Sequence, residues 1–314
     1  MTKRATIVAL ALLLSACTGT GEPRAAPSTA ASPSPTPTAT PTPTPTPVPT
    51  PAAPAQLPLG GRVLFPAYRV VAYYGTAGNP VLGVLGESTP EGILPRLRAS
   101  ARPFATADRK VQPAFEFIAT VAQAGPGPDG DYSRPMDLAQ VRRYVDVAAR
   151  NKILVVLDLQ PGRSNFLTQA KTLREFLEQP HVGLALDPEW RMGPTEVPGR
   201  TIGHVSAAEI NAVSAYVAQI VRDRNLPEKL FLLHQFRASM IPDIANVVRR
   251  PGLAMVQHID GFGTRAAKDN TFGALRRPQQ FHIGYKLFYD EDVNMYAPRN
   301  VLAFRPAPEY ISYQ

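Results

Sequence analysis

From residue 69 onward the chain repeats one unit, a short β-rich apolar run followed by an amphipathic stretch. The runs fall at 70–74, 114–121, 153–159, 182–186, 230–234, 254–259, 282–287 and 310–313. Continuous apolar runs are what strands buried on both faces require, and a helix after each makes the connections parallel. Eight such units over about 250 residues have the size and rhythm of a (β/α)8 barrel. The sequence therefore predicts an α/β fold, a (β/α)8 TIM barrel lacking a clear final helix. The rival, a doubly wound open sheet, lacks its Gly-x-Gly-x-x-Gly after the first run.

The intervening periodicity places helices on Leu138, Val141, Tyr144, Val145 and Ala148, and on Ile210, Val213, Val217, Ile220 and Val221. Ser206 and Glu209 stand before the second at capping-box spacing. Further helices are expected over 166–177, 242–248 and 266–275, with a short turn around 298–304. Residues 57–68 precede the first strand and are expected to cover the bottom or side of the barrel.

Two segments stand apart from this pattern. Residues 1–16 carry Lys3 and Arg4, a ten-residue apolar stretch and then Leu14-Ser15-Ala16-Cys17. These are the parts of a secretory signal, too short to anchor by spanning a bilayer. The small residues before Cys17 resemble the lipobox of bacterial lipoproteins, which implies cleavage before Cys17, lipidation of it and attachment to a membrane through its acyl chains. Cys17 is the only cysteine, so a disulfide scaffold is excluded. Residues 17–56 form a Pro/Thr/Ser-rich linker holding 11 of the 34 prolines between Pro27 and Pro54. Proline at every second position removes amide donors and favours polyproline II, so this stretch acts as a semi-rigid spacer. The barrel domain is left with residues 57–314. An exported lipoprotein at the outer face of a bacterial cell membrane, reaching into the wall, is the localisation these features imply.

Charge excludes more than it assigns. Leaving out Lys3, Arg4 and Arg24 from the 33 basic residues, and Glu22 from the 25 acidic ones, gives 30 against 24 in the domain. No basic run exceeds pairs such as Arg142-Arg143 and Arg249-Arg250, so no nucleic-acid partner is expected. A mild positive excess is compatible with anionic envelope polymers.

In such barrels chemistry sits at the carboxyl ends of the strands. Those ends are polar here: Tyr74, Asp158, Asp187-Pro188-Glu189-Trp190, His234, His258 with Asp260, and Tyr285-Lys286. The second strand carries Glu116. Asp187 and Glu189 are two apart and so share a side, facing the mouth. Close carboxylates raise one another's pKa, leaving one able to donate a proton near neutrality, as glycoside cleavage requires. Trp190 offers a flat apolar face for a sugar ring. Asp158, Trp190, His234, His258, Asp260, Tyr285, Lys286 and Tyr74 are the candidate substrate-binding groups. Lys286 has a second reading as a Schiff-base amine. Asp290-Glu291-Asp292 reads as a solvated loop from which Asp290 could reach the cleft, and His181, His204 and His282 lie outside the expected mouth. No His-Glu-x-x-His, no first-strand His-x-His and no Gly-x-Ser-x-Gly occurs, so neither a metal nor another cofactor is expected.

The segment Gly183-Leu184-Ala185-Leu186-Asp187-Pro188-Glu189 resembles the fourth-strand Asp-x-Glu of Chalaropsis-type lysozymes and is similar to that of chitinase-like barrels. The terminal Ile311-Ser312-Tyr313-Gln314 is loosely similar to the last lysozyme strand. The resemblance implies Glu189 as proton donor and Asp187 as its partner. Two functions are left open: hydrolysis of a cell-wall or extracellular glycan, and non-catalytic binding of such a glycan.

Overall fold

The structure, a computed structural model, describes residues 54–314; the export signal, Cys17 and nearly all of the spacer lie outside the described residues. Nine strands form one sheet: β1 (Tyr68–Gly75), β2 (Lys110–Ala122), β3 (Ser133–Pro135), β4 (Leu154–Leu159), β5 (Val182–Leu186), β6 (Lys229–Gln235), β7 (Leu253–Ile259), β8 (His282–Leu287) and β9 (Tyr310–Tyr313). β3 is a three-residue antiparallel addition to the end of β2. The other eight pair in parallel in chain order, and β1 pairs with both β2 and β9, so the barrel is closed. All eight runs read from the sequence are barrel strands. Among the described residues no helix is long and apolar enough to cross a membrane.

The connections carry α1 (Pro90–Ala101), α2 (Leu138–Asn151), α3 (Phe166–Thr172), α4 (Arg174–Leu177), α5 (Ala207–Asp223), α6 (Arg265–Leu275) and α7 (Pro298–Leu302). α1 has no counterpart among the expected helices, because Pro95 interrupts an otherwise periodic set of buried Ile93, Leu94, Leu97 and Ala101. The stretch 166–177 is two helices, broken at Leu173, where the backbone leaves helical geometry (φ −98°, ψ 12°). The helix expected over 242–248 is only a 3-10 turn, Ile244–Asn246. Its carbonyls find partners outside any helical ladder: Gln280 Nε2 donates to Ile244 O and Val247 O, and Asn211 Nδ2 donates to Asn246 O. The capping box before α5 is half made. Ser206 Oγ accepts from Glu209 N, but the Glu209 carboxylate turns to Phe166 N and Arg191 Nε.

Successive strand residues point to opposite faces. The odd-numbered set (Phe231 and Leu233 on β6, Ile283, Tyr285 and Leu287 on β8) joins the large apolar layer between barrel and helices. The even-numbered set points inward, where Val70, Ala72, Leu154, Val156, Leu230, Leu232, Ala254 and Val256 make a separate apolar cluster; on β5 the parity is reversed, Leu184 joining the outer layer and Ala185 the inner cluster. Leu57, Leu64, Phe65 and Tyr68 complete that cluster. Arg62 donates to Leu226 O at 2.9 Å and Leu64 N donates to Glu228 Oε2 at 2.7 Å, so residues 57–68 plug the end from which β6 starts. The inward series turns polar toward the strands' carboxyl ends: Leu154, Val156, Asp158, Gln160 along β4, and Ala254, Val256, His258, Asp260 along β7. The barrel thus has a greasy, sealed base and a polar upper layer.

Candidate active site

His234 stands at the centre of that upper layer, fully buried on β6. Its Nδ1 lies 2.8 Å from Asp260 Oδ2 and its Nε2 lies 2.8 Å from Glu116 Oε1. Carboxylate oxygens accept, so both ring nitrogens carry hydrogen and the ring is an imidazolium. Burial opposes the charge, but the bonds to Asp260 and Glu116 outweigh it and raise the pKa well above the ordinary value. Glu116 accepts a second bond on Oε2 from Tyr310 OH at 2.9 Å. Burial would favour its neutral form, yet the His234 charge dominates and holds Glu116 down at about 2. Asp260 is likewise below its usual value: burial pushes up, and the hydrogen bond and charge of His234 pull down further.

Three other carboxyls in the same layer go the opposite way. Asp158 is buried, accepts from Tyr74 OH at 3.0 Å, and is pushed up to about 6 by burial against the pull of His234. Asp187 is buried and raised well above its usual value by burial, and further by Asp158, Glu189 and Asp260. Glu189 is half-buried at the lip and pushed up to about 7 by burial and then by the Asp260 charge. Environment has sorted five carboxyls into two that stay ionised and three that hold a proton toward neutrality.

Above this layer opens a cavity of about 490 Å3 lined by Tyr74, Gln160, Asp187, Glu189, Trp190, Arg237, Asp260, Lys286, Glu291 and Gln314. Its walls are aromatic and apolar: Trp190, Phe236, Phe262 and Phe288, with Leu82, Ile118 and Val121. That volume and lining, apolar faces with a few convergent polar groups, are those of a small-ligand site. Lys286 enters from β8 and rests its amine 3.4 Å from the centre of the Tyr74 ring, with no carboxylate within 4.0 Å among the described residues. Lys268 on α6 fastens the rim by donating to Gly261 O, Lys286 O and Asp292.

The structure brings most of the sequence-derived residues together and sets three apart. Asp187, Glu189, Trp190, Asp260, Lys286 and Tyr74 line the cavity, while Asp158 and His234 lie directly beneath, bonded to groups that do. His258 is lower than expected: its Nε2 is 2.8 Å from Ser312 Oγ, its ring packs edge-on to His234 and Tyr310, and burial pushes it down to about 3. Gly284 leaves the room that ring occupies, since a Cβ there would lie 2.5 Å from His258 Nδ1. Tyr285 is corrected outright. It points out of the barrel against Phe272 and Phe304 and lines no part of the cavity, because its neighbour Lys286 points in. The Asp290–Asp292 loop is also not simply solvated: Asp292 is buried on Lys268, and Glu291, not Asp290, reaches the cavity. His181 bonds to Val145 O, His282 pairs with Glu309 at the base and His204 is exposed, all away from the mouth. Glu116 is the principal residue that the site adds, and it was signalled by being the lone charge inside an apolar strand.

Tyr285 supplies a direct check. Its hydroxyl is buried without a partner, so Tyr285→Phe is expected to keep or raise stability by up to about 1 kcal/mol. Urea denaturation measures this, and a loss above that size would place an unseen partner at the hydroxyl.

His234, Asp187 and Asp260 lie close enough to share a cation, as do Glu116, His234 and His258. Both His234 nitrogens are already engaged, however, so neither trio offers a free lone pair from that ring without breaking its hydrogen bonds. No family model matches the chain, and no curated protein matches it.

Proposed function

We propose that this chain is a cell-envelope lipoprotein, anchored to the membrane through lipidated Cys17, whose barrel binds and hydrolyses a cell-wall or extracellular glycan by carboxylate chemistry. One observation carries the reading. Glu189 is a carboxyl at the lip of an aromatic-walled cavity, held protonated toward neutrality, with ionised Asp260 in the same cavity. Pairs of carboxyls whose environments drive their pKa values apart divide acid and base roles between them.

In the reaction a sugar ring stacks on the aromatic wall, with Trp190 at its edge. Glu189 gives its proton to the glycosidic oxygen as the bond to the anomeric carbon breaks. The departing sugar leaves as an alcohol, and water supplies the hydroxyl that ends on the anomeric carbon. Asp187, adjacent and kept neutral by burial, can donate a hydrogen bond to substrate.

The competing reading is a non-catalytic glycan-binding module, favoured by the same aromatic wall. The two separate on one measurement, release of reducing ends from purified wall polysaccharide by the full chain. Turnover supports hydrolysis; saturable binding without release supports the module. The pH profile adds a sharper expectation. Burial and Asp260 raise Glu189, against the opposing pull of Lys286, His234 and Arg237, to about 7. Since the protonated form is the active one, kcat/KM should fall about tenfold per pH unit above that value. A basic limb that begins near 4 to 5 would remove Glu189 from the acid role.

A further inference from the structure

We propose that Asp260 is a second catalytic group of this cavity, the nucleophile that bonds to the anomeric carbon, and that His234 is its positioning residue. The proposal rests on the hydrolysis reading above and assigns the role which that reading leaves open. Asp260 ends the inward series of β7 and lines the cavity together with Glu189. Its Oδ2 is fixed by His234 Nδ1 at 2.8 Å, while its Oδ1 is buried with no hydrogen-bond partner. A buried carboxylate oxygen without a partner is costly, and this one belongs to a residue that lines the cavity, so a ligand entering there can supply the missing contact.

The other carboxyls are eliminated one by one. Both Glu116 oxygens are occupied, by His234 and Tyr310. Asp158 lies beneath the cavity on Tyr74 and does not line it. Asp187 lines it with a free oxygen, but burial among other acids keeps its proton on. Glu189 is the acid. Glu291 also lines the cavity but is exposed to solvent, so Asp260 alone among the buried carboxyls combines a place on the cavity wall, an unpartnered oxygen and a retained charge.

His234 supplies the fixing. Its far nitrogen is held by Glu116, itself held by Tyr310, so a chain of three hydrogen bonds from β9 through β2 and β6 sets the Asp260 rotamer. The ionised state has the same origin. Asp260 is faced by His234, His258, Lys286 and Lys268, with Asp187 and Glu189 opposing, and His234 dominates. A carboxylate held well below working pH is a weak general base but departs readily from an ester. That favours attack on carbon over deprotonation of water.

The step balances with water as the only co-reactant. A lone pair of Asp260 Oδ1 forms a bond to the anomeric carbon. The bond from that carbon to the glycosidic oxygen breaks, its pair going to the oxygen, which takes the Glu189 proton. Water then attacks the same carbon and loses a proton to the Glu189 carboxylate, and the ester oxygen leaves as the Asp260 carboxylate. Two displacements retain the anomeric configuration.

The test uses the full chain with purified wall polysaccharide and a panel of 2,4-dinitrophenyl glycosides. Proton NMR of the first-formed sugar is expected to show retention. Asp260→Ala is expected to lose on the order of 10³-fold in kcat. Sodium azide should restore part of that turnover and give a glycosyl azide of opposite configuration. Asp260→Asn, nearly isosteric, should show the same loss with an unchanged circular dichroism spectrum. His234→Gln should lower kcat more than KM and move the acidic limb of the pH profile upward toward the usual carboxylate range. An inverted first product, or an Asp260→Ala variant within tenfold of wild type, overturns the nucleophile and leaves hydrolysis standing. No turnover of polysaccharide or of any glycoside by the wild type overturns both.

Discussion

Glu189→Gln is expected to lower turnover by about 10²–10⁴-fold while leaving the glycan bound with little change in affinity. The amide keeps the size and polarity of the side chain at the cavity lip and removes only the proton it would give. The fold should be indifferent. Glu189 has a raised folded pKa, so the native state binds more protons than the unfolded chain as pH rises from its ordinary value to about 7, and stability drains away over that window. An amide does not titrate, so the variant should melt no lower than wild type at pH 6 and no lower at pH 8. Reducing-end assays beside thermal melts at both pH values make the check. A variant that keeps more than a tenth of wild-type activity would mean that another group protonates the leaving oxygen.

Glu116→Ala should damage stability severely, costing about 3–5 kcal/mol. Glu116 is fully buried, and removing it leaves the His234 imidazolium without its strongest far-side partner and Tyr310 OH without an acceptor. Asp158 Oδ1 stands 3.9 Å from His234 Nε2 and offers only partial relief. The pH dependence follows in sign from the depressed pKa. The folded value is about 2, so the contribution is complete above the unfolded value near 4.5 and is lost as pH falls between them. Urea denaturation of wild type and variant at pH 7 and at pH 3 should therefore give a gap that narrows on acidification. A gap below 1 kcal/mol at pH 7, or one that widens at pH 3, would mean that Glu116 is not the charge holding the ring.

The barrel was legible because each strand is a short apolar run with breakers on both sides, and because nothing about closing it depends on unusual side chains. The helices were less so where proline or neighbouring amides intervene: Pro95 hid α1, and Gln280 and Asn211 satisfy the carbonyls of 244–247 so that no helix is needed there. Within the site, polarity at strand ends located the mouth but did not rank depth. His234 and Glu116 are 118 positions apart, and neither sequence neighbourhood announces that they meet. The Tyr285 error had a visible remedy. Adjacent residues on one strand face opposite ways, so placing Lys286 in the barrel already sends Tyr285 to the helices. What no pattern could supply is the sorting of the carboxyls, since that depends on which of five acids happens to touch one buried cation.

The barrel is fastened shut by β9, a strand of four residues near the end of the chain, and Tyr310 on it anchors Glu116 from 194 positions away. A chain whose last strand has not docked holds every acid of the cavity and yet no closed barrel to gather them. The charged cluster therefore depends on a single short strand, and whatever loosens that strand dissolves the sorting of the acids as a whole.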